Sequence, residues 1–255
     1  MTAPLADATA FVTGAGSGIG RAIACRLARE GAAIGVADVN EEGARETARL
    51  IVEAGGLAHA AHVDITNFDE VHRAVVAVRN AFGAIGVLVN NAGWDRIEPF
   101  VKNTPDLWDK IIGINLKGPI HCCRAVLDDM ITAGRGKIIS ISSDAARVGS
   151  SGEAVYSACK GGIISFSKTL AREHARHRIN VNVLCPGPTE TPLLAEITSG
   201  DDGAKVIEAM KRAVPMRRLG VPEDIAGAVA FFASSDSDFI TGQVLSISGG
   251  LTMAG

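Results

Sequence analysis

The sequence is poor in aromatic residues and in cysteine, and each shortage excludes a class of structure. Aromatic residues make up 4% of the 255 residues, so the core must be built from smaller side chains. A core of Ala, Val, Ile, Leu and Gly suits parallel strands that helices cover on both faces. The five cysteines are odd in number and show no CxxC spacing. This argues against a disulfide framework or a zinc site and favours a reducing cytoplasm.

A strong charge excess and long apolar runs are also missing. The net charge is only −3 and is spread evenly, which does not suggest nucleic acid as a partner. No segment reaches the roughly 18 uninterrupted apolar residues of a membrane span, and the N-terminus lacks the cationic start of a targeting peptide. The pairs His59/His62 and His174/His177 lack nearby third and fourth ligands, so no metal is predicted. We therefore expect a cytoplasmic protein with a small-molecule substrate and without a nucleic-acid or membrane partner.

Short apolar strands alternate with helical stretches along the whole chain. Strands separated by helices of this length require right-handed crossovers and a parallel sheet. The pattern predicts an α/β fold: one Rossmann-type domain over residues 1–255, with a doubly wound seven-stranded parallel sheet flanked by helices. The predicted strands are Ala8–Thr13, Ala33–Ala37, Leu57–Val63, Val87–Asn90, Lys137–Ser142, Ile179–Leu184 and Gln243–Ile247, and the two longest predicted helices are Pro105–Thr132 and Glu153–His177.

One segment interrupts this alternation. Pro188–Val214 lies between the sixth strand and the last helix, carries the turn-rich run Ser199–Gly203, and belongs to no strand–helix unit. Long irregular insertions in compact domains are usually lids or binding loops. We therefore predict a substrate lid at about residues 188–214, with an ordinary surface excursion as the alternative.

A glycine-rich turn, Gly14–Gly20, joins the first predicted strand to the first helix. Glycines let the backbone approach a pyrophosphate closely, and N–H groups at the helix N-terminus face its negative charge. Asp38 stands 18 residues after Gly20, at the end of the second strand, where a carboxylate binds the adenosine ribose hydroxyls and repels a 2′-phosphate. Val39 follows it, and positions 15 to 17 offer no basic residue. The cofactor is therefore predicted to be NAD.

A tyrosine and a lysine four residues apart, Tyr156 and Lys160, share one face of a predicted helix. Lowering a tyrosine pKa from about 10 to about 7 requires roughly 4 kcal/mol of differential stabilisation. The Lys160 ammonium together with the positive nicotinamide of NAD⁺ would favour the phenolate. Ser143, thirteen residues before Tyr156 at the end of a strand, would orient the substrate oxygen. Tyr156 is thus predicted to exchange a proton with a secondary alcohol or ketone while the cofactor carries the hydride.

In their order, these motifs resemble the short-chain dehydrogenase/reductase (SDR) family across the whole chain. The family patterns TGxxxGxG, NNAG, YxxxK and PG…T stand at Thr13–Gly20, Asn90–Gly93, Tyr156–Lys160 and Pro186–Thr191. The resemblance implies that Asn115 holds a water linking Lys160 to solvent. The implied catalytic residues are Asn115, Ser143, Tyr156 and Lys160, and the implied cofactor-binding residues are Gly14, Ser17, Gly18, Ile19, Gly20, Asp38, Asp64, Ile65, Asn91, Ala92, Gly93, Tyr156, Lys160, Pro186, Gly187, Thr189 and Thr191.

The runs Asn90–Asp95 and Ser143–Tyr156 look like the 2-hydroxycyclohexanecarboxyl-CoA dehydrogenase branch of this family. This implies a ring-bearing or acyl-CoA secondary alcohol, while other cyclic, aryl or 3-oxoacyl thioester substrates stay open. A dinucleotide-sensing binding protein is the alternative class, but it would be expected to have lost Tyr156 or Lys160. The candidate substrate-pocket residues are Trp94, Asp95, Asp144, Arg147, Glu153, Pro188, Leu193 and Leu194. Lys211, Arg212, Arg217 and Arg218 are either contacts for CoA phosphates or a solvated basic face.

Other features bear on packing and assembly. Cys159 is predicted to pack in its helix, because no histidine is placed by sequence to activate it as a nucleophile. Trp94 either lines the pocket or packs. The two longest predicted helices carry more apolar positions than one sheet face covers, and members of the resembled family form tetramers, so a homotetramer is predicted.

Overall fold

A computed structural model describes residues 3–199 and 203–254. The strands in this part of the chain are β1 Thr9–Thr13, β2 Ala33–Asp38, β3 Leu57–His62, β4 Val87–Asn90, β5 Gly136–Ile141, β6 Ile179–Pro186 and β7 Val244–Ile247. They form one parallel sheet in the order β3-β2-β1-β4-β5-β6-β7. The predicted seven-stranded parallel sheet is confirmed, and strand ends differ from the predicted ones by at most two residues.

Helices connect the strands and cover both faces of the sheet. They are α1 Gly18–Arg29, α2 Glu41–Glu53, α3 Phe68–Phe82, α4 Pro105–Ile112, α5 Gly118–Ala133, α6 Ala145–Val148, α7 Ala154–His174, α8 Pro192–Ile197, α9 Gly203–Ala213 and α10 Pro222–Ala233. Among them, none combines the length and apolar character that crossing a bilayer needs.

The core consists of two apolar layers on opposite faces of the sheet. Successive residues of a strand point to opposite faces, and accordingly Phe11 and Val12 of β1 belong to different layers. Val12 packs with Ile23 of α1 and Ile225 of α10. Phe11 packs on the side of α3 and α5. The central strands are buried on both faces, as expected for a parallel sheet.

The strand order reverses its direction of growth between β1 and β4. In open α/β sheets, ligands bind in the crevice beyond the carboxyl ends of the strands at such a switch point. The glycine-rich turn leaves β1 there, and Asn91–Gly93 leaves β4 beside it. The topology thus places the predicted cofactor motifs next to each other.

Two segments differ from the simplest expectation. The predicted helix Pro105–Thr132 is interrupted by a π-helical turn, Gly113–Lys117, between α4 and α5. The predicted lid segment contains α8 and α9, whereas its residues 200–202 lie outside the described part of the chain. The short helix α6 follows β5 and was not predicted.

Candidate active site

The glycine-rich turn is packed too closely to accept side chains. Gly14 and Gly18 have positive φ angles of 64° and 51°, a region that favours glycine. A Cβ on Gly20 would lie 2.0 Å from the carbonyl oxygen of Gly14 and 2.5 Å from Nδ2 of Asn91. The first turn of α1 therefore presses directly on the loop, and its backbone is accessible to a bound pyrophosphate.

Asp38 is tied to this turn by its own carboxylate. Its Oδ2 accepts a hydrogen bond of 2.7 Å from the Gly16 N–H, and its Oδ1 accepts one of 2.8 Å from the Asn40 N–H. Arg21, which the sequence analysis did not single out, donates to the carbonyl oxygen of Gly16 and to Oγ1 of Thr47. The carboxylate thus keeps a fixed position at the end of β2.

Thr13 joins the two loops at the switch point. Its Oγ1 accepts hydrogen bonds of 3.1 Å from the backbone N–H groups of Asn91 and Ala92. In return, Nδ2 of Asn91 donates to the carbonyl oxygens of Thr13 and Gly14 at 3.0 and 3.1 Å. The sequence predicted no separate role for Thr13, because its hydrogen bonds to the loop after β4 form only when β1 and β4 lie side by side.

Asn115 lies in the π-helical turn and is fully buried. Its Nδ2 donates to the carbonyl oxygens of Trp94 (2.7 Å) and Ile111 (3.0 Å), and its Oδ1 accepts from the Trp94 N–H at 3.3 Å. A Cβ on Gly93 would lie 3.1 Å from Oδ1 of Asn115 and 3.4 Å from Nζ of Lys160. π-Helical turns often mark functional sites, and here the turn brings Asn115 close to Lys160.

Tyr156 and Lys160 meet Ser143 at the carboxyl end of β5. Nζ of Lys160 lies 5.5 Å from the centre of the Tyr156 ring and donates a 3.0 Å hydrogen bond to the carbonyl oxygen of Ile141. The Ser143 hydroxyl lies within hydrogen-bonding reach of the Tyr156 phenol. The Ser143, Tyr156 and Lys160 side chains therefore lie close together at one point, the arrangement that the predicted proton transfer would need.

The pKa values at this centre reflect burial and two carboxyl groups. Burial raises the pKa of Tyr156, Glu153 and Asp95 raise it further, and the Ser143 hydrogen bond opposes them. Burial lowers the pKa of Lys160 to about 8. The sequence-based prediction of a lowered tyrosine pKa included the charge of a bound nicotinamide. In the protein alone, burial and the two carboxyl groups outweigh the Ser143 hydrogen bond and raise the pKa of Tyr156.

One large cavity of about 1470 Å³ connects the glycine-rich turn to Tyr156. This exceeds the roughly 300–1,000 Å³ of a typical small-molecule pocket, so a dinucleotide and a substrate fit together. Its lining includes all of the predicted cofactor-binding residues, together with Ser143 and the candidate substrate-pocket residues Trp94, Asp144, Glu153, Pro188, Leu193 and Leu194. The close glycine packing, the N-terminus of α1 and the ribose-site carboxylate all fit a nicotinamide dinucleotide.

Comparisons with known proteins agree with this geometry. The family model described as Enoyl-(Acyl carrier protein) reductase matches residues 14–252. The chain is 39% identical to a (3R)-3-hydroxyacyl-CoA dehydrogenase of Canis lupus familiaris, covering 99% of this chain and 100% of the relative. It is 36% identical to the 3-oxoacyl-[acyl-carrier-protein] reductase FabG of Thermotoga maritima, covering 95% and 97%. The chain belongs to the short-chain dehydrogenase/reductase family. An actinorhodin polyketide ketoreductase variant solved with NADPH superposes on this SDR with a TM-score of 0.93 at 34% identity, covering 96% and 97% of the two chains.

Three predicted residues of this SDR do not line the cavity. Asn115 lies behind Gly93, and Asp95 is buried behind the cavity wall with 5% exposure. Arg147 turns away, because its guanidinium donates to Oγ of Ser246 at 3.0 Å and to the carbonyl oxygen of Ala254. Arg147 thus anchors the C-terminal segment instead of contacting a substrate.

The four basic residues considered for CoA phosphates also lie away from the cavity lining of the SDR. Arg218 forms a bidentate ion pair with Asp224, and Lys211 forms an ion pair with Glu208. Arg217 has a positive φ of 57° and donates to the Arg212 carbonyl oxygen at 2.6 Å. These contacts favour the interpretation of a solvated basic face.

The positions of Trp94 and Cys159 bear on two alternatives from the sequence: pocket lining or packing for Trp94, and packing or a nucleophilic role for Cys159. Trp94 lines the cavity, and Nζ of Lys110, which also lines it, lies 3.6 Å from the Trp94 ring centre. Cys159 is 2% exposed and packs with Leu107 and Ile111. Burial raises the pKa of its thiol, which supports packing over a nucleophilic role.

Proposed function

We propose that this SDR is an NAD(H)-dependent dehydrogenase that interconverts a secondary alcohol and a ketone on an acyl thioester or a ring. The observation that carries the proposal is the single cavity with the glycine-rich turn and Asp38 at one end and Ser143, Tyr156 and Lys160 at the other. A binding protein that only sensed a dinucleotide would not need the Ser143, Tyr156 and Lys160 side chains at the other end of the cavity. The retained Tyr156 and Lys160 therefore favour an enzyme.

The chain's own residues handle the oxygen of the substrate. A bound nicotinamide dinucleotide supplies or accepts the hydride. In ketone reduction the Tyr156 phenol donates its proton to the carbonyl oxygen, and in alcohol oxidation the phenolate takes the hydroxyl proton. Ser143 hydrogen bonds to the same oxygen and orients it. Lys160 would hold the nicotinamide ribose and favour the phenolate through its charge, and Asn115 holds the Trp94 backbone against this centre.

The choice of NAD over NADP rests on Asp38. Its carboxylate lines the cavity and is held by the Gly16 N–H, so a 2′-phosphate at that point would meet a fixed negative charge. The next residue, Val39, is apolar and 66% exposed, and offers no countercharge. Arg21 is engaged with Gly16 and Thr47. These contacts support NAD for this chain, although the actinorhodin ketoreductase was solved with NADPH.

A thioester substrate is supported by the relatives and by the apolar lid. The relatives named above act on 3-hydroxyacyl-CoA and on 3-oxoacyl groups of an acyl carrier protein. Leu193, Leu194, Ile197, Val206 and Met210 of the lid segment line the cavity with apolar side chains, which suit an alicyclic or alkyl acyl group.

The test is an activity assay on a panel of substrates, in which NADH absorbance measures the rate. We expect oxidation of hydroxyacyl-CoA thioesters, cyclic ones included, with NAD⁺, and much slower oxidation of the matching free acids and simple cyclic alcohols. Reduction of 3-oxoacyl thioesters without alcohol oxidation would favour the reductase alternative. NADH binding without turnover of any alcohol or ketone would overturn the proposal in favour of a binding protein.

For assembly we propose a homotetramer in the cytoplasm. An apolar groove lies across the outer surface of α4 and α7, lined by Phe100, Ile112, Leu116, Ala154, Val155, Ala158 and Cys159. Packing against a second copy would remove this groove from water, and closed symmetry is usual for homo-oligomers. All five cysteines are free, which supports a reducing compartment.

A further inference from the structure

A buried aspartate, Asp95, lies beside the catalytic centre in the loop that follows β4. Asn115 holds this loop by hydrogen bonds to both backbone groups of Trp94. Further along, the Glu98 N–H donates a 3.1 Å hydrogen bond to the Gly152 carbonyl oxygen. These contacts fasten the loop to the segment that leads into α7. As a result, Asp95 lies against Glu153, which immediately precedes α7.

The surroundings of Asp95 are unusual for an ionised carboxyl group. Asp95 is 5% exposed, and among the described residues neither of its carboxylate oxygens has a hydrogen-bond donor in bonding geometry. The Glu153 carboxyl group lies within hydrogen-bonding reach of it. Two ionised carboxylates are both acceptors and repel each other, so a hydrogen bond between them requires a proton on one of them. Sharing a proton satisfies the buried group.

We propose that Asp95 and Glu153 share a single proton and that the pair, carrying one negative charge beside the phenol, keeps Tyr156 a proton donor. The pair acts as a positioning element, because Tyr156 and not the pair contacts the substrate oxygen. The inference rests on the proposed function only in taking Tyr156 as the acid/base.

The charges around the pair are consistent with this role. The pKa of Asp95 is raised to about 7, mainly by burial; the Arg96 N–H lowers it, Glu153 raises it and the Lys160 ammonium lowers it. Both carboxyl groups raise the pKa of Tyr156. The titratable groups that face this centre are Glu153, Cys159 and Lys160 from α7 and its N-terminus, Asp95 from the loop after β4, and Cys185 from β6.

The negative charge of the pair therefore disfavours the phenolate form of Tyr156. Removing the charge of the pair takes away this repulsion, so the pKa of Tyr156 falls. Above that lower pKa the tyrosine is the base for alcohol oxidation, and below it the acid for ketone reduction.

Tyr156 is the one tyrosine in the chain, so phenolate absorbance in an ultraviolet titration reports on it alone. We expect the double variant Asp95→Asn/Glu153→Gln, which removes the charge of the pair, to move the midpoint to lower pH by at least about one unit, a tenfold change in the dissociation constant. Each single variant leaves one carboxylate and therefore the same charge, so its midpoint should stay near that of the wild type. Glu98→Gln is the matched control on the same loop, since its side chain bonds to Asn103 and does not act on Tyr156. Its midpoint should equal that of the wild type.

A midpoint of the double variant within about 0.3 units of wild type would overturn the proposal. If the double variant fails to fold, Asp95→Leu/Glu153→Gln carries the same test, because an apolar side chain of similar size suits the buried position of Asp95. Proton sharing is read separately from the infrared carbonyl band of a protonated carboxyl group at neutral pH. We expect the band in wild type and its loss in Asp95→Asn, and its absence from wild type would contradict a shared proton. Neither readout needs a substrate, so failure of the proposed activity leaves this test intact.

Discussion

The Lys160 ammonium donates a 3.0 Å hydrogen bond to the backbone carbonyl oxygen of Ile141, the last residue of β5. This contact fixes the Lys160 ammonium at the end of β5, close to the Tyr156 ring. Lys160→Met should keep the fold of the sheet, lower both kcat and NADH affinity, and raise the pKa of Tyr156. In alcohol oxidation with saturating NAD⁺, the rising limb of the pH–rate profile should move alkaline by about one unit or more. A limb that stays in place would show that Lys160 does not tune the phenol.

Replacing the acid/base itself gives a simpler expectation. Tyr156→Phe removes the phenol hydroxyl and leaves the ring and the packing of α7 unchanged. Turnover should fall by about a hundredfold or more, the usual contribution of acid–base catalysis, while NADH binding measured by fluorescence stays near wild type. Residual activity well above about one per cent would mean that the proton moves by another route.

Cofactor preference should depend on Asp38. Wild type is expected to prefer NAD⁺ over NADP⁺ by at least about tenfold in kcat/KM, or about 1.4 kcal/mol. Asp38→Ala should narrow this ratio, mainly through weaker use of NAD⁺, because it removes the ribose acceptor and the contact to Gly16. Steady-state kinetics with both cofactors measure the ratio, and equal efficiencies in wild type would contradict the assignment.

The close packing of the glycine-rich turn can be tested at one position. A methyl group on Gly20 would lie 2.0 Å from the Gly14 carbonyl oxygen, and a backbone atom cannot shift without moving the loop. Gly20→Ala should therefore destabilise the protein by about 1–3 kcal/mol and abolish NADH binding. Gly86→Ala is the matched control, because a Cβ there meets nothing within 4 Å. Thermal unfolding and NADH titration of the two variants check this, and equal behaviour would contradict the packing argument.

Light scattering tests assembly. Wild type should run as a tetramer of 26.4 kDa chains at micromolar concentration. Ala158→Glu places a charge in the apolar groove of α4 and α7 and should shift the distribution towards smaller species. Val52→Glu, at a 55% exposed site on α2, should leave the mass unchanged. A monomeric wild type would contradict the proposal.

The sheet and most of the site could be predicted because their signals are local in sequence. The glycine spacing predicts a tight turn, and the predicted end of the second strand gives the position of Asp38. The four-residue spacing of Tyr156 and Lys160 predicts that they share a helix face. The predicted cofactor residues accordingly line one cavity. The π-helical turn around Asn115 was missed, since hydrophobic periodicity does not distinguish it from a continuous helix.

Other features depend on contacts between distant segments and have no local signal. Arg147 stands in a run that resembles a substrate loop, yet its side chain turns to Ser246, 99 residues away. Asp95 and Glu153 lie in separate loops that the Glu98–Gly152 hydrogen bond helps to hold together. Side-chain direction in such loops follows from tertiary packing, and a single sequence does not encode it as a pattern.

The hydrogen bonds from Asn91 and Ala92 to Thr13 also set an order of events during synthesis. They span 78 and 79 residues, so they cannot form until β4 has left the ribosome and docked beside β1. Contacts of such long range are acquired late, after the loop between them has been closed. A nascent chain that ends before β4 would therefore contain the whole glycine motif and still be unable to hold a dinucleotide.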